Sequence, residues 1–147
     1  RMTFYYHFRD IYDLVEWSCL EDADRALNDK KTYETWQEGL INIFYAVLEN
    51  KPFIMNVYCC VHREQVEKYL SPLVDDLVMG VINEEAVRIR VRDEDKEFIA
   101  KVYSYVLIGV MLDWINDDMR EDPKEVVARL ARLIKGSVPS ALGRFSF

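Results

Sequence analysis

Apolar residues recur every three or four positions along most of the chain, which is the spacing of one face of an α-helix. In residues 33–48 polar residues occupy the opposite face, and the apolar residues at this spacing are Tyr33, Trp36, Leu40, Ile43, Phe44, Val47 and Leu48. Proline and polar runs separate the periodic segments. The pattern predicts an all-α fold of about seven helices, with helices over residues 10–28, 33–48, 52–61, 62–85, 93–119 and 123–136.

Two segments depart from a simple helical pattern. Residues 87–92 alternate strictly between apolar side chains and arginines, which is typical of a strand. A lone strand has no partner here, so we expect an extended connection in preference to a continued helix. Pro72 stands inside the fourth predicted helix and should kink it or divide it in two.

The segment from Val102 to Ile115 is apolar almost all the way round, and a helix of that kind must be covered on more than one side. It falls short of the roughly 18–20 apolar residues that a membrane span needs, so no membrane partner is expected. Together with the last amphipathic helix it suggests a homodimer interface, although the core of a monomer would give the same pattern. The candidate interface residues are Val106, Val110, Trp114, Leu130 and Ile134.

Composition indicates one ordered domain in a reducing, cytoplasmic compartment. Half of the 147 residues are hydrophobic, and 13% are aromatic. Three cysteines, two of them adjacent, give neither a disulfide framework nor metal-type spacing. No metal or cofactor is expected. With 19 basic and 26 acidic residues the formal net charge is −7, which excludes a protein that coats nucleic acid through general positive charge.

Positive charge is nevertheless concentrated at the start of the chain. The first residues read RMTFYYHFRD, a hydroxyl, two phenols, an imidazole and two guanidiniums with no acid before Asp10. Such groups bind phosphate oxygens, and side chains of a helix in the major groove read base edges. Without Arg1 and Arg9, the remaining 17 basic and 26 acidic residues leave a charge of −9.

This motif resembles the end of the helix-turn-helix of TetR/AcrR-family transcriptional regulators, and the helical remainder resembles their ligand-sensing and dimerisation domain. The resemblance implies that residues 1–9 end a DNA-binding unit whose upstream part is missing, and that residues 10–147 form the regulatory body. Phe4 and Phe8 would pack inward. Ile11 replaces the lysine usual in the family, so one phosphate contact is absent and Arg9 is its substitute. The implied DNA-contacting residues are Arg1, Thr3, Tyr5, Tyr6 and His7.

The resemblance further implies a small-molecule effector bound inside the helical body and operator DNA as a partner. Large aromatic and methionine side chains can line such a site. The competing interpretation is plain core packing. The candidate pocket residues are Trp17, Trp36, Tyr45, Met55, Tyr58, Tyr69 and Tyr103.

Two alternatives to an effector-binding regulator stay open. The chain is also similar to TetR-type regulators of dihydroxyacetone-kinase operons, some of which respond to a coactivator protein, so the body could be an interaction module without a pocket. A small helical enzyme is the other alternative. Cys60 and His62 have no orienting acid nearby, and the aspartates at 113, 117 and 118 fit a solvated helix end. We therefore expect no catalytic residues.

Overall fold

The computed structural model describes residues 34–60 and 63–147, without the side chains of residues 57–60. The predicted helix over residues 10–28 lies outside this part. The described residues form helices and a single antiparallel bridge between Val91 and Ser146, so the all-α prediction is confirmed. The elements are α1 (Trp36–Glu49), α2 (Lys51–Cys60), α3 (Arg63–Glu85), a 3₁₀ turn (Ala86–Arg88), α4 (Asp93–Asn116), α5 (Pro123–Ile134) and α6 (Ser137–Arg144).

The two longest helices, α3 and α4, pack along each other and form the centre of the domain. Helix α1 packs against both α3 and α5, and α6 lies against α3 and α4. Buried aliphatic side chains from these helices make one continuous core, because each helix turns its apolar stripe inward. Its fully buried large side chains include Phe44, Leu77, Ile82, Met111 and Ile115.

Helix α3 continues through Pro72 as one helix, so it is not divided there, and the alternative of a kink at Pro72 stays a prediction. Pro72 is exposed, which lets its ring and its missing N–H lie on the solvent side of the helix. The neighbouring Ser71 hydroxyl donates to the carbonyl of Glu67 at 2.8 Å. Buried residues flank the proline on both sides of the sequence, so packing holds the helix together there.

The turn from α4 to α5 is a Schellman motif. The N–H of Met119 donates to the carbonyl of Trp114 at 2.9 Å, and the N–H of Asp118 donates to that of Ile115 at 3.0 Å. Asp118 and Met119 both have left-handed backbones, with φ of 62° and 54°. Met119 and Trp114 are both buried in the hydrophobic core, and an apolar contact between these two positions commonly accompanies this motif.

Trp114 fixes the position of α5 relative to α4 and α1. Its indole N–H donates to the carbonyl of Glu121 at 2.8 Å, just before α5 begins. Its ring meets Phe44 of α1 edge to face, with centroids 4.8 Å apart. The Asp122 carboxylate caps α5 by accepting from the N–H of Lys124 at 3.0 Å.

The expected extended connection is confirmed for Ile89 to Arg92, whereas residues 86–88 form the 3₁₀ turn. The end of the chain lies against this connection. The N–H of Phe147 donates to the carbonyl of Arg90 at 3.0 Å, and the guanidiniums of Arg90 and Arg92 lie 5.2 and 5.5 Å from the Phe147 ring centroid. Helix α6 was not predicted, because Gly136 and Pro139 read as the end of helical structure; proline is tolerated in the first turn, where Pro139 stands.

Because the backbone of Asp118 is left-handed, we expect glycine to give a more stable protein than alanine at this position, the reverse of the usual order in a helix. Asp118→Gly and Asp118→Ala both remove the carboxylate that lies 3.3 Å from the Lys51 ammonium. We expect the glycine variant to be more stable by about 1 kcal/mol, because a side chain is strained in this conformation. Urea denaturation measures the difference. At the exposed helical position Ser140 the order should be the usual one, with Ala above Gly. An alanine variant as stable as the glycine variant at position 118 would contradict the assigned turn.

Ser104 predicts a stabilising substitution in α4. Its hydroxyl is buried and has no hydrogen-bond partner among the described residues. Ser104→Ala should raise the free energy of unfolding by about 1 kcal/mol or more, because a buried unsatisfied hydroxyl costs about 1–3 kcal/mol. Ser140→Ala is the matched control, since it gains only the helix propensity of alanine, roughly 0.5 kcal/mol. Equal gains in the two variants would show that the Ser104 hydroxyl is not unsatisfied.

Candidate functional site

A cavity of about 480 Å³ lies where α1, α3, α4, α5 and α6 meet. Its volume is within the range of roughly 300–1,000 Å³ typical of small-molecule sites. Its described walls are mostly aliphatic, with a few polar and charged side chains. The lining residues are Trp36, Gln37, Leu77, Val78, Val81, Ile82, Tyr103, Leu107, Ala128, Ala131, Arg132, Ile134, Lys135 and Val138.

The cavity includes two of the predicted pocket residues, Trp36 and Tyr103. The described side chains among the others lie elsewhere. The Tyr45 hydroxyl donates to the Asp122 carboxylate at 3.4 Å, Tyr69 is buried within α3, and Met55 is half-buried on α2. Trp17 and the side chain of Tyr58 are outside the described part of the chain, and they stay predictions.

The polar side of the cavity is built at the turn between α5 and α6. Gly136 has φ of 76°, a left-handed conformation that reverses the chain between Lys135 and Ser137 at low cost. The Ser137 hydroxyl is hydrogen-bonded to the hydroxyl of Tyr103 from α4. Lys135 and the pair of hydroxyls are therefore brought to the same region by one tight turn.

Sequence reasoning missed most of the cavity wall. Helix α5 contributes Ala128, Ala131, Arg132 and Lys135, whose spacing of three and four residues places them on one stripe. The small side chains of the two alanines leave space between α5 and the core. The alanine-and-cation stripe was the available signal, but on an amphipathic helix such a stripe is ordinarily solvent-facing.

An exposed apolar face runs along α4 on the side away from the core. It consists of Phe98, Val102, Tyr105 and Val106, with Phe98 57% and Tyr105 60% exposed. A further turn along the helix stands Gly109, where an added Cβ would meet no atom within 4 Å. We call this set of side chains the outer face of α4. Its contiguity distinguishes it from the scattered exposed apolar residues of an ordinary surface.

Beyond the outer face, an open groove separates α4 from α5. Three residues of the predicted dimer interface line this groove: Val110, Trp114 and Leu130. Of these, Trp114 and Leu130 are buried. Leu133 of α5 lines it as well and is 78% exposed. Of the other two predicted interface residues, Val106 belongs to the outer face, while Ile134 lines the cavity.

Helix α4 as a whole is long and apolar enough to cross a membrane by length and composition, so the expectation that its apolar segment is too short for a span is wrong. Half of its most apolar window is buried inside the protein. That share of the helix is therefore packed in the core.

The other residues that the sequence singled out form no functional site in the described part of the chain. Arg1, Thr3, Tyr5, Tyr6 and His7 lie outside it, and so does His62. The aspartates at 113, 117 and 118 are exposed, and Asp118 is paired with Lys51. Among the residues described, no three His, Cys, Asp or Glu side chains are grouped as metal ligands would be.

The described residues thus form an all-α body with a cavity at a helix junction and an apolar outer face on α4. A TetR-type family model, described as transcriptional regulator C-terminal region, matches residues 34–136, from the residues before α1 to the turn after α5. The chain belongs to the TetR family of transcriptional regulators. A comparison with curated proteins finds no match.

Proposed function

We propose that this protein is a cytoplasmic DNA-binding regulator that acts as a homodimer and senses a small effector in the cavity between α1 and α3–α6. The observation that carries the proposal is the position of α4, which lines the cavity on one side and presents the outer face on the other. Family membership supports the regulatory role, and the cavity supports a directly bound small molecule.

Helix α4 offers a direct connection between effector and dimer. Tyr103 and Leu107 line the cavity, while the adjacent residues Val102 and Val106 lie on the outer face. A ligand that displaces α4 would change the packing between two copies. In a dimeric regulator that packing sets the distance between the two DNA-binding units, which must match successive major grooves roughly 34–36 Å apart.

The outer face of α4, continued by the groove to Leu133, fits a second copy of the chain. Its apolar side chains are contiguous, and a twofold axis would bring the same face of both copies together. Gly109 supports this arrangement. Glycine inside a helix costs roughly 0.5–1 kcal/mol relative to alanine, and nothing in the protomer occupies the space beside it. Close approach of a second α4 would account for glycine at this position.

Val106→Glu should convert the dimer into a monomer. The substitution places one carboxylate from each copy in an apolar interface, where an unpaired charge is strongly unfavourable. Sedimentation equilibrium should show the dimer dissociation constant raised by about a hundredfold or more. Val87→Glu is the control, because Val87 is 83% exposed but lies outside the outer face. Gly109→Leu should weaken the dimer as well without lowering protomer stability. An unchanged dimer in both α4 variants would refute this interface.

Operator binding should depend on the residues that the family resemblance assigns to the DNA-binding unit: Arg1, Thr3, Tyr5, Tyr6 and His7. With a DNA site selected from a random library, Tyr5→Ala and His7→Ala in the full-length protein should each weaken binding by about tenfold, since each removes a phosphate or base contact. The control is Arg144→Gln, an exposed cation in α6. Gel-shift titration at fixed salt measures the affinities. Undiminished specific binding by the Tyr5→Ala, His7→Ala double variant would contradict the assignment.

The coactivator-responsive alternative predicts that the cavity is not needed for the response. If the body resembles the dihydroxyacetone-kinase operon regulators that respond to a partner protein, filling the cavity should leave induction intact. Ala128→Phe does this at an exposed lining position, with little risk to the core. We expect the variant to bind operator normally and to lose its response to the effector. A retained response would favour the partner-protein mechanism.

A further inference from the structure

The described wall of the cavity has an apolar body. On one side, α3 contributes Leu77 and Val81, and α4 contributes Leu107, all of them buried. On the other side, Ala128 and Ala131 keep α5 from filling the space. A molecule that occupies this volume must therefore present hydrocarbon or an aromatic ring to most of the wall.

Positive charge is confined to one end of the same wall. Arg132 lies in the last turn of α5, and Lys135 follows the helix directly. Both line the cavity together with Ala128 and Ala131, and both are exposed, so the two cations stand at its solvent-exposed edge. The described lining residues include no aspartate or glutamate. This end of the cavity therefore favours negative charge.

The sign of this end is opposite to that of the whole chain, whose formal net charge is −7. A protein with a net negative field repels anions, so selection of an anion requires local cations. Three other basic side chains are in ion pairs among the described residues: Lys51, Lys96 and Arg129, the last with Glu121 at 2.7 Å. Arg132 and Lys135 form no ion pair with another described residue.

The lining also includes uncharged hydrogen-bonding groups. Gln37 of α1 lines the cavity, and so does Tyr103, whose hydroxyl is paired with that of Ser137. A carboxylate accepts several hydrogen bonds through its two oxygens, and arginine presents a planar fork of donors that matches it. The set of donors therefore suits a compact anionic headgroup at the end of an apolar body.

We propose that the effector is an amphiphilic monoanion, with a hydrocarbon or aromatic body against α3 and α4 and a carboxylate headgroup at Arg132 and Lys135. This inference rests on the proposed function, because it assigns a ligand class to the cavity that function uses. The two cations select the charge of the ligand, and the alanines of α5 admit its body.

Three probes of equal chain length test the headgroup. Decanoate, decanol and decylamine, each below its micelle concentration, are titrated into the full-length protein by calorimetry. Decanoate should bind at least about tenfold more tightly than decanol, and decylamine more weakly than either. The fluorescence of Trp36, which lines the cavity, should change with the same affinity. Loss of that signal in Trp36→Phe identifies its source.

Variants of α5 locate the two parts of the site. The double substitution Arg132→Gln and Lys135→Gln should lower the affinity for decanoate by at least about tenfold and leave the affinity for decanol unchanged. Lys124→Gln is the matched control, an exposed cation of the same helix that does not line the cavity. Ala128→Phe should lower the affinity for both decanoate and decanol, because the new side chain occupies the space of the ligand's apolar body. Circular dichroism checks that each variant is folded.

The outcomes separate this inference from the proposed function. Equal affinity for decanoate and decanol, or equal loss of both in the double variant, would overturn the anion preference. Undiminished decanoate binding by Ala128→Phe would overturn the assigned cavity. Anion-selective binding that leaves operator affinity unchanged would support the site and contradict its role as the effector site. Release of operator by a neutral or cationic compound bound in the cavity would support the effector role and contradict the anionic class.

Discussion

The structure depends on the need to cover α4. This helix is apolar over most of its circumference, and such a helix is stable only when other elements bury it on several sides. Helix α3 covers its longest stretch, and α6 covers a further part. Phe44 of α1 packs against α4 at Trp114, and the indole of Trp114 also fixes the start of α5. The positions of α3 and α6 follow from this requirement, whereas α2 packs on α3 and α1.

Two parts of α4 are not covered by packed side chains, and the proposed function rests on both. Between α3, α4 and α5 the small side chains of Ala128 and Ala131 leave the cavity. On the opposite side of α4 no described element covers Val102 and Val106, which remain exposed. Since the two gaps share one helix, a ligand in the first and a second copy on the second would act on the same rigid body. Under the proposed function, effector binding and dimer geometry would be coupled through α4 itself, without a longer path through the protein.

Most of the fold could be predicted from the sequence because helical periodicity is a local property. The predicted helices over residues 33–48, 52–61 and 93–119 correspond to α1, α2 and α4 with small shifts at their ends. The errors concern proline and glycine. Pro72 does not divide α3, because its exposed position lets core packing on both sides outweigh the lost hydrogen bond. Pro139 stands in the first turn of α6, where its missing N–H has no helical partner to lose.

The cavity was much harder to predict, because a cavity is defined by what neighbouring helices fail to fill. Aromatic size pointed to Trp36 and Tyr103 and equally to Tyr69, which the core buries. The residues that give the cavity its character are instead alanines, whose small volume matters only opposite α3, and two cations at a helix end. On the sequence, Arg132 and Lys135 look like ordinary partners for the negative end of the helix dipole. Only their side of the helix distinguishes them, and that side is fixed by the Trp114 anchor and the left-handed turn at Asp118, which set how α5 is placed on the core.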